Sequence, residues 1–329
     1  REGRGLGVAT WKVVSPAERE QLSANSHLPA NLEAASDDLP LVVRMQPSAA
    51  STSVKELSIA ARPIVEQHLS AHGAILFRDL PLPTFSEASD FLASLGYAMY
   101  PDPSGREKVA EGLYHASLAV PPEMNIGPHQ EHIVSTRPPS KLFLHCQAPS
   151  PEGGETPLAH ACKVWDLMRG TTRDQLRLRG VRFEMVRGNA AKAENPVQYT
   201  RSWQEHFLAP DLPTAMERAT EQFEGKIMAD EHGNIILRSP PLQAFRELGG
   251  REAYCSQLQN IYSLRWLWGD ADEYLPEELL EDVMSAVWSA ASVFQWQAGD
   301  VLLVDNLLVL HGRLSYKGER FMGAGLTRD

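Results

Sequence analysis

Cysteine is scarce in this sequence: Cys146, Cys162 and Cys255 are the only three, and no C-x-x-C pair occurs. They are too few and too scattered for a disulfide framework, and they fit a reducing cytoplasm. Any Lys/Arg-rich stretch is also missing. With 31 basic against 42 acidic residues, the net charge of −11 would repel a phosphate backbone, so nucleic acid is not expected as a partner. Long apolar runs are absent as well. Val301-Leu302-Leu303-Val304 and Leu307-Leu308-Val309-Leu310 fall far below the roughly 20 residues that span a bilayer, so no membrane association is expected. The opening Arg1-Glu2-Gly3-Arg4 lacks an apolar segment ending in small residues, and no secretion signal is read there.

What is present is a chain of 329 residues, 43% apolar, able to bury a sizeable core; one domain over 1–329 is expected. Residues 1 to about 50 lack a sustained period and read as a peripheral lead-in with one short helix near 16–22. From Ser53 to His72 the apolar positions Val54, Leu57, Ala61, Ile64, Val65 and Leu69 recur at helical spacing, ending at Gly73. Pro63 argues for a kink or an early break there. A short buried strand over 74–77 and a helix over 84–95 follow. Residues 128–159 are short apolar or alternating runs separated by Pro and Gly, which are strand signals. A helical interlude is expected over 164–168, 214–223 and 276–292, before strands return over 293–296, 301–304, 308–310 and 320–327. Strands early and late with helices between them imply a mainly β core with flanking helices, closed by distant segments.

His129-Gln130-Glu131 sits beside a strand signal. Residues i and i+2 of a strand point to one side, so both side chains can reach one ion while Gln130 faces away. A second histidine from a distant strand, His311, would complete the two-His, one-carboxylate set of non-haem Fe(II) oxygenases. The triplet alone decides nothing. With 11 His and 42 acidic residues, about one such triplet arises by chance, and a lone His near strands is more often a satisfied core or surface residue. His132, His145 and His160 also compete, although His132 would face the opposite side of one strand.

The neighbouring motifs decide. Pro128-His129-Gln130-Glu131-His132, Pro139-Ser140-Lys141-Leu142-Phe143, Cys146 and Gly153-Gly154-Glu155-Thr156-Pro157 together resemble the taurine dioxygenase/TfdA-like (clavaminate synthase-like) family. So do Trp296-Gln297-x-Gly299-Asp300-Val301-Leu302-Leu303-Val304-Asp305-Asn306, His311-Gly312-Arg313 and Arg320. The resemblance runs from about residue 70 to the end, and Glu131 in place of the commoner Asp points to a branch resembling SyrP-like and AsnO-like amino-acid hydroxylases.

This resemblance implies a double-stranded β-helix, or jelly-roll, and a dioxygenase using Fe(II), 2-oxoglutarate and O2. It implies His129, Glu131 and His311 as metal ligands and catalytic residues, with Arg320 pairing with the distal carboxylate of 2-oxoglutarate and Thr156 supporting it. Arg238 and Arg313 are candidates for a substrate carboxylate, while Asp305, Asn306 and Arg313 read mainly as structural. Tyr254-Cys255-Ser256-Gln257 stands where many relatives carry an Asn, so substrate contacts made there do not carry over. Relatives that halogenate have a small residue in place of the carboxylate ligand; Glu131 fills that position. The expected substrate is a small molecule, an amino acid or amino-acid-derived carboxylate, free or on a carrier protein. A taurine or other sulfonate, or another small carboxylate, is the alternative. A zinc hydrolase would leave Arg320 and Thr156 without a role, and an idle jelly-roll binding protein would not need three intact ligand positions.

Overall fold

In the computed structural model, the described residues are 10–13, 39–46, 53–101, 106–116, 120–135, 137–190, 202–259 and 264–328. The helix expected near 16–22 lies outside them. The chain divides into two compact units: Val164–Val287, and the residues before and after it.

The flanking unit is built on two sheets. The larger has nine strands, in the order Thr10–Val13, Leu41–Gln46, Ala74–Arg78, Val301–Asp305, Lys141–Ala148, Phe321–Arg328, Leu113–His115, Lys108–Ala110, with Ala98–Met99 also pairing with Phe321–Arg328. The smaller runs Ala291–Phe294, Thr156–His160, Val309–Arg313, Ile126–His129. Sequence-distant strands lie side by side in both, as a double-stranded β-helix requires.

Val301–Asp305 explains why an apolar run becomes a central strand. It pairs antiparallel with Ala74–Arg78 and Lys141–Ala148, placing Leu302 opposite both Leu76 and Leu144. Alternate side chains enter different cores. Leu302 and Val304 pack with Leu142, Leu158, Phe294 and Val309 between the two sheets. Val301 and Leu303 join Phe77 and Phe143 under the helices Val54–His72 and Phe85–Leu95. Both faces are buried, so alternation disappears from the sequence. The two helices start from capping boxes, Ser53 with Glu56 and Thr84 with Glu87, which satisfy N-terminal N–H groups reciprocally.

Three expectations are corrected. Pro63 does not break its helix, because Val54–His72 runs through it without interruption. The stretch before residue 50 contributes Leu41–Gln46, a strand parallel to Ala74–Arg78 with Leu41, Val42 and Val43 buried. The interlude is not purely helical. Besides helices such as Leu212–Gln222 and Glu277–Ala290, the second unit holds a four-stranded sheet ordered Lys226–Ala229, Ile235–Arg238, Val181–Arg187, Arg265–Trp268.

Candidate metal centre

The smaller sheet brings the histidines together. Val309–Arg313 lies between Thr156–His160 and Ile126–His129, with His311 opposite His129 on one side and Leu158 on the other. The two imidazole rings stand 4.6 Å apart between centroids. Glu131, however, is not on the strand. The strand ends at His129, and Glu131 opens a turn in which His132 has a left-handed backbone, φ 49°. The expected i, i+2 geometry is replaced by this turn, and the carboxylate still returns to the histidines.

One ligand-type atom from each of His129, Glu131 and His311 falls within a set whose members lie no more than 4.8 Å from one another, and no other His, Cys, Asp or Glu joins this cluster among the described residues. Glu131 Oε1 is 3.8 Å from His129 Nε2 and 3.6 Å from His311 Nε2. Those separations exceed hydrogen-bond length and leave room for an ion between the donors. His129 Nδ1 lies 3.0 Å from the carbonyl of Gly127, which can only accept, so Nδ1 carries the proton and Nε2 offers its lone pair toward Glu131. Two imidazole nitrogens and one carboxylate oxygen, with no fourth donor among the described residues, match the facial set that suits Fe(II) and leaves coordination positions open.

The electrostatics agree. Burial would raise the Glu131 carboxyl, but His129, His311 and Arg106 hold it well below the usual carboxylate range. At His129 burial is outweighed by Glu131 and the imidazole is held above its ordinary value; at His311 burial prevails and lowers it.

Neighbouring groups fix the triplet in place. Asn306, fully buried, accepts from the Glu131 N–H at 2.8 Å and donates to the carbonyls of Glu131 and Pro139, each at 2.9 Å. Gln130 Nε2 donates to the Leu307 carbonyl. Asp305 turns out to serve the turn, its carboxylate accepting from the N–H groups of Leu307 and Leu308.

On the adjoining strand, Thr156 is buried and its Oγ1 accepts a hydrogen bond from Trp296 Nε1 at 3.0 Å. The two glycines before it are needed by the fold. A Cβ on Gly153 would lie 2.2 Å from the Ser315 carbonyl oxygen, and Gly154, with φ 78°, packs against the stem of Arg320. Arg320 Nη2 approaches the Gly154 carbonyl at 3.5 Å. Burial lowers the Arg320 guanidinium to about 10, with Arg313 adding repulsion. Arg313 donates to the carbonyls of Val120, Pro121 and Met124, a clamp on that segment. Arg238 belongs to the second unit, where it pairs with Glu184 at 2.7 Å and Asp272 at 3.0 Å. His145 is buried with Nε2 on the Leu82 carbonyl, and His160 Nδ1 accepts from the Cys162 N–H.

Sequence reasoning missed Arg106. Its Nη1 lies 3.7 Å from Glu131 Oε1. Set in the charged run Arg106-Glu107-Lys108, it carries no local signal separating it from a solvated face.

The sequence profile of the family described as "Taurine catabolism dioxygenase TauD, TfdA family" matches residues 42–327. The chain belongs to this family. It is an Fe(II)- and 2-oxoglutarate-dependent dioxygenase. It is 27% identical to the dapdiamide synthesis protein DdaC of Enterobacter agglomerans, over 80% of this chain and 84% of that protein. To a clavaminate synthase-like protein of Arabidopsis thaliana it is 25% identical, over 94% and 99%. Among solved structures, AAD-2 in complex with Mn(II) and N-oxalylglycine superposes with TM-score 0.50 at 15% identity, covering 87% of this chain and 92% of that one. The PvcB protein from Pseudomonas aeruginosa gives TM-score 0.50 at 14%, covering 88% and 86%. These similarities place the fold among the family's jelly-rolls.

Proposed function

We propose that this dioxygenase hydroxylates an unactivated C–H bond of an amino acid or amino-acid-derived carboxylate, free or tethered to a carrier protein, with His129, Glu131 and His311 as the iron ligands. The observation that carries the ligand assignment is the convergence of their three donor atoms on one position without a fourth among the described residues. Iron bound there supplies oxidative decarboxylation of 2-oxoglutarate to succinate and CO2, coupled to oxidation of the substrate. The protein's own task is to bind, orient and exclude.

Arg320 is the residue for the distal carboxylate of 2-oxoglutarate. A planar guanidinium gives two parallel hydrogen bonds to a carboxylate, and burial beside Gly154 leaves that charge poorly hydrated until an anion arrives. Thr156 adds a hydroxyl already oriented by Trp296. Asn306 fixes the Glu131 backbone, so that the carboxylate does not have to be ordered when the metal binds. Because the family match extends through residues of both units, we read them as one functional domain. Three free, buried cysteines suit action in the cytoplasm.

The amino-acid reading rests on the His-x-Glu triplet, less common than His-x-Asp in the family, and is consistent with similarity to a protein named for dapdiamide synthesis. Its test is a succinate-release screen of free amino acids beside the same set loaded on a carrier domain. Stimulation by at least one member is expected. Stimulation by taurine or another sulfonate, with none by any amino acid in either form, overturns it.

A further inference from the structure

We infer that Tyr316 is a positioning residue for the co-substrate, its ring holding the guanidinium of Arg320 where the distal carboxylate of 2-oxoglutarate arrives; this rests on the role proposed for Arg320 and deepens it. Among the described residues, no carboxylate lies within ion-pair distance of Arg320, and its hydrogen bond from Nη2 to the Gly154 carbonyl is long at 3.5 Å. Arg313 adds repulsion. Arg313 is itself clamped by the carbonyls of Val120, Pro121 and Met124, so Arg320 is the less restrained of the two cations. Something other than an anion must therefore keep Arg320 in place.

A ring face supplies that restraint. The guanidinium carbon of Arg320 lies 5.6 Å from the centroid of the Tyr316 ring, within reach of a cation–π attraction. That of Arg313 lies 5.0 Å from the same centroid, so one ring draws in both cations and offsets part of the repulsion between them. The attraction of a quadrupole does not neutralise a guanidinium. Arg320 keeps its full charge and its planar donor fork for an arriving carboxylate, which a resident carboxylate partner would have occupied.

The backbone fixes Tyr316 in turn. Tyr316–Lys317 pairs antiparallel with Glu152–Gly153, setting Tyr316 opposite Gly153. The Tyr316 N–H donates to the Pro122 carbonyl at 2.9 Å, the Gly154 N–H to the Ser315 carbonyl at 3.0 Å, and Lys317 Nζ to Glu152 at 2.8 Å. Gly154 closes on the stem of Arg320, since a Cβ there would lie 3.2 Å from its Nε and 3.3 Å from its Cδ. The stem is thus placed by Gly154 and the head by Tyr316, both on the ribbon that leads into Thr156. The two groups assigned to the distal carboxylate share one rigid reference, which orients the co-substrate before it reacts.

The test compares two co-substrates on anaerobic Fe(II)-loaded protein, read by the weak visible charge-transfer band: 2-oxoglutarate, and 2-oxopentanoate, which has the same carbon chain without the distal carboxylate. Both are titrated against wild type, Tyr316→Phe, Tyr316→Leu, Tyr316→Met and Arg320→Gln. Affinity for 2-oxoglutarate should fall roughly five- to thirtyfold in Tyr316→Leu and Tyr316→Met and less than about twofold in Tyr316→Phe, which keeps the ring. Affinities for 2-oxopentanoate and Fe(II) should change less than about threefold in all three, because neither depends on the cation–π contact. Unchanged 2-oxoglutarate affinity in Tyr316→Leu and Tyr316→Met, beside a loss in Arg320→Gln, overturns the role of Tyr316 and leaves that of Arg320 standing. Unchanged affinity in Arg320→Gln removes both. Equal losses for the two co-substrates, or a loss of Fe(II) affinity, show that Tyr316 serves packing alone and overturn the inference. A loss in Tyr316→Phe as large as in Tyr316→Leu also overturns it, by assigning the effect to the hydroxyl. No band in wild type removes the ligand set and this inference with it.

Discussion

Asn306 grips Glu131 through both backbone groups at once: its side-chain carbonyl accepts from the Glu131 N–H at 2.8 Å and its amide donates to the Glu131 carbonyl at 2.9 Å. An isolated turn leaves such groups to water. Here a fully buried amide from the end of a distant strand takes the place of ladder partners, which is how a carboxylate outside the sheet is held against histidines within it.

Replacing Asn306 by Ala leaves the Glu131 and Pro139 backbone groups unsatisfied. We expect a loss of about 2–3 kcal/mol in stability by denaturant titration. The Fe(II) dissociation constant should rise roughly ten- to a hundredfold, as for other residues that orient metal ligands. Unchanged iron affinity in a folded Asn306→Ala protein would show that Glu131 positions itself.

Arg320→Ala should raise the KM for 2-oxoglutarate about ten- to a hundredfold, because a charge-assisted hydrogen bond is worth roughly 1.5–3 kcal/mol. Arg320→Lys restores the charge without the fork and should recover only part. Steady-state kinetics at saturating substrate measure this. An unchanged KM in Arg320→Ala would contradict the assignment.

The fully buried pair Arg78–Asp300, 3.4 Å apart, makes a prediction about pH. Burial pushes the Asp300 carboxyl from 3.8 up to about 7, against the pull of Arg78. Between pH 4 and 7 the folded chain then holds a proton that the unfolded chain has released, so this group's contribution falls as pH rises through that window. Relative to wild type, Asp300→Asn should gain on the order of 4 kcal/mol in stability from pH 4 to 7, whatever its absolute stability. Denaturation curves at several pH values give the slope. A wild-type chain that gains on Asp300→Asn over the same range would contradict the sign.

Much of this was legible in the sequence where local chemistry and tertiary environment agree. The capped helix Val54–His72 and the strand Val301–Asp305 follow from helical spacing and from an apolar run too short for a helix. The proposed ligand residues were marked by spacing and surrounding motifs, but the geometry that brings them together was not. His129 ends its strand, and the left-handed His132 with Asn306 shapes the turn carrying Glu131. Such a turn has no sequence signal when no glycine occupies the positive-φ position. Leu41–Gln46 was hidden because its partner, Ala74–Arg78, lies beyond a whole helix. The sheet around Val181–Arg187 was hidden because its partner strands, Ile235–Arg238 and Arg265–Trp268, are only four residues each and lie far from it in the sequence. Arg106 depends on tertiary placement alone.

The central claim is that His129, Glu131 and His311 together hold the iron that drives turnover. The direct measurement is succinate formed from 2-oxoglutarate with Fe(II) and oxygen, in wild type and in His129→Ala, Glu131→Ala and His311→Ala proteins verified as folded. Wild type should form succinate slowly alone and faster with substrate, and each variant should form none above background, since two ligands cannot maintain the facial site. Wild-type turnover in any one of the three variants would remove that residue from the set and contradict the account.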